Sequence, residues 1–189
     1  MGKTVAILHG WAGGNWHVKR FVKALAEEGF RVIKNSKEAD VIIAHSTGCY
    51  RLRESSSANV ILLLGPPYWP SRSILRRLLK KKGHDTRQRI NDQGVLFTIN
   101  KFLFEIIYVI IKPSYSFIAL KNHRYLHFLD LLENKKVVLI RNEEDYSCSS
   151  EIEAAIKKYK NVRYISLPGG HDDFMTNPAP YIGLMRKEL

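Results

Sequence analysis

Short, largely apolar runs recur along this chain and constrain its fold more than any other feature. They are rich in β-branched residues and lack the polar alternation of a half-exposed strand. The runs are TVAIL, FRVI, VII, NVILLL, KVVLI and VRYISL, at residues 4–8, 30–33, 41–43, 59–64, 136–140 and 162–167. Strands that are apolar on both faces are typical of a parallel sheet covered on both sides by helices. We therefore predict an α/β protein, a three-layer α/β/α sandwich with a mostly parallel sheet of about six strands.

Helical patterns alternate with these runs. The first covers residues 18–29, where apolar residues recur at helical spacing and Gly29 serves as the C-cap. Further helices are predicted over residues 48–57, over residues 150–160, and from about residue 178 onward. The link between the second and third strands has only about six residues, which is short for a parallel crossover.

The segment VIIAHSTGCY, residues 41–50, combines a strand, a serine and the start of a helix. Ser46 lies in the turn, with Ala44 two residues before it and Gly48 two residues after it. This is the small-x-Ser-x-small form of the G-x-S-x-G nucleophile elbow, whose turn is too tight for larger residues at those two positions. Small residues around a serine also occur at helix N-caps without any chemistry. The pentapeptide alone leaves both interpretations open.

Two further polar residues follow strands in the order that a serine hydrolase of this fold requires. A serine nucleophile needs a base to take its proton and an acid to orient that base. Asp145 follows the run at 136–140, and His171 follows the run at 162–167. Because parallel strands end at one edge of the sheet, these two residues and Ser46 are predicted to form one site. Glu144 is the alternative acid.

Four segments of the chain resemble functional loops of the α/β-hydrolase superfamily. They are HGW at residues 9–11, AHSTG at 44–48, NEED at 142–145 and PGGH at 168–171. The resemblance covers residues 1–67 and 135–189, and by size the chain is similar to the short bacterial-type and retinoblastoma-binding-protein-type serine hydrolases. The chain differs from the family pattern in lacking its first strands, which makes a truncated version of the fold, and in having Ala44 where glycine is usual.

The resemblance implies a two-step acyl transfer. Ser46 would attack a carbonyl carbon, His171 would take and return the proton, and Asp145 would hold the imidazole. The backbone N–H groups of Trp11 and Thr47 would bind the oxyanion. The implied activity is that of an esterase- or lipase-like serine hydrolase, which cleaves carboxylic esters or thioesters through an acyl-enzyme intermediate. No metal or organic cofactor is implied.

We expect residues 1–189 to form a single α/β-hydrolase domain with residues 68–132 inserted as a helical cap or lid. The inserted segment contains no strand–helix repeat, and it follows the strand after the elbow, where the family carries its cap. Between residues 68 and 128 there are twelve Lys or Arg and three acidic residues, hence a net charge of +9 out of +12 for the whole chain. A charge concentrated in this way indicates an anionic partner.

Two helices are predicted within the cap. Residues 72–82 have the pattern of a basic amphipathic helix. Residues 95–111 form a helix that is apolar except for a thin polar stripe of Thr98, Lys101 and Glu105. The second helix is too short and too interrupted by charge to span a membrane. It nevertheless has more apolar surface than a helix in contact with solvent should show.

The use of only two cysteines favours a reducing, cytoplasmic location, and the basic cap suggests docking on anionic lipid headgroups at the membrane periphery. Packing of the cap helices on the core or on a second subunit is the alternative. The cap has few aromatics among its basic residues, which disfavours nucleic acid. Cys49 and Cys148 provide no disulfide framework, and the short N-terminal apolar run does not predict a signal peptide. The alternative function is an α/β-hydrolase scaffold with little or no catalysis that binds nucleic acid, membrane or protein through this cap.

The remaining candidates are given structural roles. His45 is expected to pack beside the elbow and to point away from the substrate, and Cys49 to be a small buried hydrophobe. Asp172 and Asp173 could assist His171, but they are expected to cap the turn that follows it. One further group has helical spacing that could gather a metal, but an exposed polar helix explains it better, so no metal site is predicted; its members are His123, His127 and Asp130.

Overall fold

The structure is a computed structural model that describes residues 2–10, 17–52, 57–68, 70, 86–87, 90–91, 94–111 and 126–189. Six strands occur in this part of the chain: β1 (Thr4–Leu8), β2 (Arg31–Ile33), β3 (Val41–His45), β4 (Val60–Leu64), β5 (Lys136–Asn142) and β6 (Val162–Leu167). They form one parallel sheet in the order β2-β1-β3-β4-β5-β6. The predicted parallel sheet is confirmed, and each strand begins and ends within two residues of its predicted limits.

Helices connect the strands. In chain order they are α1 (Lys19–Glu27), a 3-10 helix (Ser46–Arg51), α2 (Val95–Ile111), α3 (His127–Asp130), α4 (Ile152–Ile156), α5 (Asp173–Thr176) and α6 (Ala179–Glu188). Helix α1 ends as predicted, with Gly29 in the left-handed conformation at a φ of 82°. A backbone of this kind favours glycine, which has no Cβ to clash with the preceding turn.

Apolar side chains fill both faces of the sheet. Alternate residues of β3, β4 and β5 point to opposite faces, so each central strand contributes to two core clusters. One cluster contains Ile42 and Leu63 and is covered by α3 and α4. The other contains Ile43 and Leu62 and is covered by α1, α5 and α6. The arrangement confirms the three-layer α/β/α sandwich, and it explains why the strands are apolar on both faces.

The short link between β2 and β3 is accommodated by the shortness of β2. Strand β2 pairs with β1 and lies at the edge of the sheet, so the link crosses two strand spacings, about 10 Å. It must also return along only three residues of β2, again about 10 Å. The residues between Ile33 and Val41 can span more than 20 Å when extended, at about 3.3 Å for each residue.

Two predicted helices are shorter in the structure. The helix expected over residues 48–57 is a 3-10 helix that ends at Arg51, because Leu52 adopts an extended backbone and is buried in the core. Residues 53–56 of that prediction lie outside the described residues. The helix expected over residues 150–160 is only α4. Its chain tightens where the Tyr159 N–H donates to the Ile156 carbonyl oxygen three residues back, and it then enters β6.

The segment between β4 and β5 contains α2 and α3. Helix α2 has the predicted limits, whereas residues 72–82 lie outside the described residues. Near the end of the segment, Phe128 and Leu129 of α3 are buried in the core. Among the described residues, none of the helices has the length and apolar character needed to span a membrane. The division into a core and a cap at residues 68–132 stays a prediction.

Candidate active site

Ser46 lies immediately after β3, at the carboxyl edge of the sheet. Its φ is +53°, and no other non-glycine residue in the described part of the chain has a positive φ. A residue with a side chain in this conformation costs about 1–3 kcal/mol, and such strain is typical of functional turns. The strand–turn–helix geometry with a strained serine is the one that the sequence pattern of residues 44–48 predicts.

Small residues around Ser46 allow the elbow to pack closely on the end of β1. A Cβ on Gly48 would lie 2.1 Å from the Leu8 carbonyl oxygen, and a Cβ on Gly10 would lie 2.8 Å from the Ser46 Cβ. Both distances are far below van der Waals contact, so larger side chains would force the elbow away from β1. The sequence pattern requires small residues around Ser46, and the fold gives the reason: a larger side chain at Gly48 would clash with the end of β1.

Asp145 and His171 form a buried pair at the same edge. The Nδ1 atom of His171 lies 2.9 Å from Oδ2 of Asp145. The other carboxylate oxygen, Oδ1, accepts the backbone N–H groups of Ser147 and Cys148 at 2.6 and 3.2 Å. A carboxylate accepts only, so Nδ1 of His171 donates. In the neutral ring, Nε2 then has the lone pair that could accept a proton.

No family model and no curated protein matches the sequence of this chain. Solved structures do match over nearly the whole chain. A bromoperoxidase from Bacillus anthracis has a TM-score of 0.70 at 15% identity, covering 100% of this chain and 92% of its own. An esterase from Rhodococcus sp. ECU1013 has a TM-score of 0.70 at 13% identity, and the match covers 98% of this chain and 90% of the esterase. A thioesterase domain from the curacin biosynthetic pathway has a TM-score of 0.62 at 11% identity, and the match covers 97% of this chain and 90% of that domain.

This chain has the α/β-hydrolase fold. At such low identities the likeness concerns the fold alone, and the retinoblastoma-binding-protein-type branch stays a prediction. The α/β-hydrolase fold places its functional loops at the carboxyl edge of the sheet.

The α/β-hydrolase fold brings three of the predicted site residues to one edge of the sheet. The ring of His45, the residue before Ser46, has its centroid 4.6 Å from that of His171. Glu144, the alternative acid, is exposed, and the carboxylate that reaches His171 belongs to Asp145. Thr47 follows Ser46 at the start of the 3-10 helix. Trp11, predicted to give the second oxyanion N–H, lies outside the described residues.

His45 packs beside the elbow, as predicted, and it also contacts the loop that carries His171. Its Nε2 lies 3.2 Å from the His171 carbonyl oxygen, so this nitrogen donates. Burial, together with the charge of the nearby His171, lowers the pKa of His45 from 6.5 to about 3. His45 is therefore a neutral donor that holds the backbone of His171.

A second set of contacts that the sequence analysis missed holds the same loop. Asn142, the last residue of β5, donates through Nδ2 to the Gly170 carbonyl oxygen. Its Oδ1 accepts the hydroxyl of Tyr181 at 2.8 Å, and that hydroxyl also lies 3.3 Å from Oδ2 of Asp173. The sequence could have indicated a role for Asn142, because a polar residue at the end of a predicted strand lies at the edge where the site forms. Its partner in α6 could not be deduced from spacing.

Gly65 is a further residue that the sequence analysis missed. It follows β4 with a φ of +51°, and a Cβ there would lie 2.3 Å from Oδ2 of Asp145 and 3.1 Å from Nδ1 of His171. Only a glycine allows β4 to end beside this pair. The sequence GPP had indicated a turn at this point but not a contact with the acid and base.

Three titratable residues could be considered as metal ligands. His45, His171 and Asp172 have one ligand atom each within 4.8 Å of one another. However, Nε2 of His45 carries a proton that it donates to a carbonyl oxygen, and a protonated nitrogen cannot bind a metal. In the second group, for which the sequence predicted no metal site, Nδ1 of His127 lies 3.7 Å from Oδ2 of Asp130, both side chains are exposed, and His123 lies outside the described residues.

Of the structural roles predicted from the sequence, that of Cys49 is confirmed and that of Asp172 is wrong. Cys49 is fully buried, its Sγ lies 3.3 Å from the Ala44 carbonyl oxygen, and burial raises the pKa of its thiol. It is the small buried hydrophobe that was predicted. Asp172 is the residue before α5, but its side chain does not cap that helix and instead lies 3.6 Å from Nε2 of His45.

Proposed function

We propose that this protein is a serine hydrolase that cleaves carboxylic esters or thioesters. The observation that carries the proposal is the buried Asp145–His171 hydrogen bond at the carboxyl edge of the sheet, where the strained turn of Ser46 also lies. Burial of a charged pair is costly unless hydrogen bonds satisfy it, and here three donors reach the carboxylate. Such an arrangement suits a base that must be held in one tautomer.

In the proposed reaction, Oγ of Ser46 attacks the carbonyl carbon while Nε2 of His171 takes the hydroxyl proton. The tetrahedral intermediate then expels the alcohol or thiol, which receives that proton from Nε2. Water repeats the sequence on the acyl-enzyme and regenerates Ser46. Asp145 orients the imidazole throughout and stabilises its cationic form. The backbone N–H of Thr47, together with that of Trp11, is assigned to the developing oxyanion.

The substrate class is inferred from the kinds of proteins that share this fold. The similar structures include an esterase, a putative lipase from Acinetobacter baumannii AYE and a thioesterase domain. Those activities are the ones named for those proteins, and the fold and triad by themselves do not fix a substrate. We assign residues 68–132, which include α2, as the cap over the site.

A fluorophosphonate probe tests the proposal directly, because it labels only an activated serine. We expect the wild-type chain to be labelled and Ser46→Ala to lose labelling completely. Ser166→Ala is the matched control, since Ser166 is an exposed serine on β6 and its replacement should leave labelling intact. A series of nitrophenyl esters of increasing acyl length should then be hydrolysed by wild type, with kcat at least about 10⁴-fold lower in Ser46→Ala.

Labelling that persists in Ser46→Ala would assign the nucleophile to another residue and overturn the proposal. A wild-type chain that is neither labelled nor active would favour the alternative, a scaffold that acts through binding. Salt-sensitive binding to an anionic partner would then be the expected property.

A further inference from the structure

Helix α2 is oriented opposite to an ordinary surface helix. Its polar residues Thr98, Lys101 and Glu105 are buried while Asn100 is exposed, and Nζ of Lys101 lies 3.8 Å from Oε1 of Glu105. Its aliphatic residues are exposed, reaching 80% for Leu96 and 73% for Ile110. A helix that lies on a protein core in water normally buries its apolar face and exposes its polar face.

The exposed aliphatic residues form one continuous surface. At about 100° for each residue, six of them fall within an arc of about 100°. The buried polar stripe is centred on the opposite side of the helix. We call this surface the outer face of α2, and its members are Leu96, Ile99, Leu103, Ile106, Ile107 and Ile110. An apolar surface of this extent is typical of an interaction site.

We propose that the outer face of α2 docks into the surface of an anionic lipid bilayer. The 17 residues of α2 are fewer than the about 20 that a membrane span needs. They suffice for a helix about 25 Å long that lies parallel to the membrane with one face in the acyl–headgroup boundary. The buried polar stripe then faces the protein and keeps its charged pair out of the hydrocarbon.

Charge favours a bilayer over other occupants of this face. The chain between residues 68 and 128, which contains α2, has a net charge of +9. A second copy that docked through the same face would bring two such regions together, and like charges would oppose it. Nucleic acid would match the charge but not an aliphatic surface. An anionic bilayer offers headgroups to the basic residues and acyl chains to the outer face.

Vesicle cosedimentation tests this inference, which does not depend on the proposed hydrolase activity. We expect the full chain to bind vesicles of phosphatidylcholine mixed with phosphatidylglycerol at least about tenfold more tightly than vesicles of phosphatidylcholine alone. The double variant Leu96→Gln with Ile110→Gln should weaken binding to the mixed vesicles about tenfold, because two inserted side chains lose their apolar contacts. The matched control is Leu131→Gln with Leu189→Gln. It changes two exposed leucines outside α2 and should bind as wild type does.

Four results would overturn the proposal. The first is an absence of binding to either vesicle, and the second is equal binding by the Leu96→Gln, Ile110→Gln variant, which would indicate charge alone. The third is a dimer in lipid-free sedimentation velocity that this variant dissociates, which would make a second copy the occupant. The fourth is a loss of thermal stability in this variant as large as that of a core substitution, which would mean that the chain covers the face itself.

Discussion

The carboxyl edge of the sheet and α2 both bury charged residues, but their surroundings are opposite. At the sheet edge, Asp145 is buried among apolar strands and accepts hydrogen bonds from the protein on both oxygens. In α2, Lys101 and Glu105 are buried while aliphatic residues face outward. At the sheet edge, groups of this chain supply the hydrogen bonds that the buried carboxylate accepts. The arrangement in α2 is favourable only if another apolar environment covers the outer face, since exposed aliphatic surface costs free energy in water.

The comparison also shows that burial alone does not reveal what a polar residue does. The buried carboxylate at the sheet edge accepts a hydrogen bond from a histidine ring, whereas the buried pair in α2 lies on the side of the helix that faces the protein. The following predictions test this difference, from the largest expected effect to the smallest.

Replacing Asp145 with Asn should have the largest effect, about 10⁴-fold on kcat, because an amide can stabilise the wrong tautomer of His171. The measurement is the steady-state hydrolysis of a nitrophenyl ester, with kcat separated from KM. Asp40→Asn is the control, since Asp40 accepts Thr4 at the opposite end of the sheet. A loss below about tenfold in Asp145→Asn would mean that this charge is structural, as in α2.

Truncation of a leucine should have very different costs in the two regions. Leu63→Ala, in fully buried β4, should lower the free energy of unfolding by about 2–5 kcal/mol through lost contacts and a cavity. Leu96→Ala, on the outer face of α2, should change it by less than about 0.5 kcal/mol. Urea denaturation measures both. Similar costs at the two positions would remove the distinction between a closed core and an open face.

Adding one methyl group beside the buried pair should impair both folding and activity. Gly65→Ala places a Cβ against Asp145 and forces alanine into a positive φ, which should lower kcat about 10²-fold. It should also lower the free energy of unfolding by about 1–3 kcal/mol. Gly183→Ala in α6, where a Cβ meets nothing within 4 Å, should instead raise stability by about 0.5–1 kcal/mol. Activity unchanged in Gly65→Ala would show that the pair tolerates displacement.

The neutral ring of His45 should make the sheet edge sensitive to acid. The unfolded chain binds a proton at His45 near pH 6.5, whereas the folded chain does so only near pH 3. Stability is therefore lost as the pH falls below 6.5, by about 2 kcal/mol at pH 5 from this residue. His45→Gln keeps a donor for the His171 carbonyl oxygen and should lose less stability between pH 8 and pH 5 in urea denaturation. Parallel profiles for the two proteins would contradict the assignment.

Much of this architecture could be predicted because strand periodicity and turn residues are local signals. Short segments of sequence define the limits of α2 and of the strands. They also define the turn at Ser46 and the order in which Ser46, Asp145 and His171 follow their strands. The extent of the helix after the elbow could not be predicted, because the burial of Leu52 ended it. The contacts of Gly65 and of Asn142 with Tyr181 join residues from separate elements, for which the sequence carries no local pattern.

By itself, the sequence determined the parallel α/β sheet, the strained serine turn and the candidates for acid and base, because each follows from residue size, β-branching and chain order. Only the tertiary structure decided that Asp145 rather than Glu144 reaches His171, and that His45 and Asn142 hold the histidine loop. It also decided that the polar stripe of α2 faces inward. Helical periodicity defines two opposite faces, but which of them is buried depends on the packing of the whole chain.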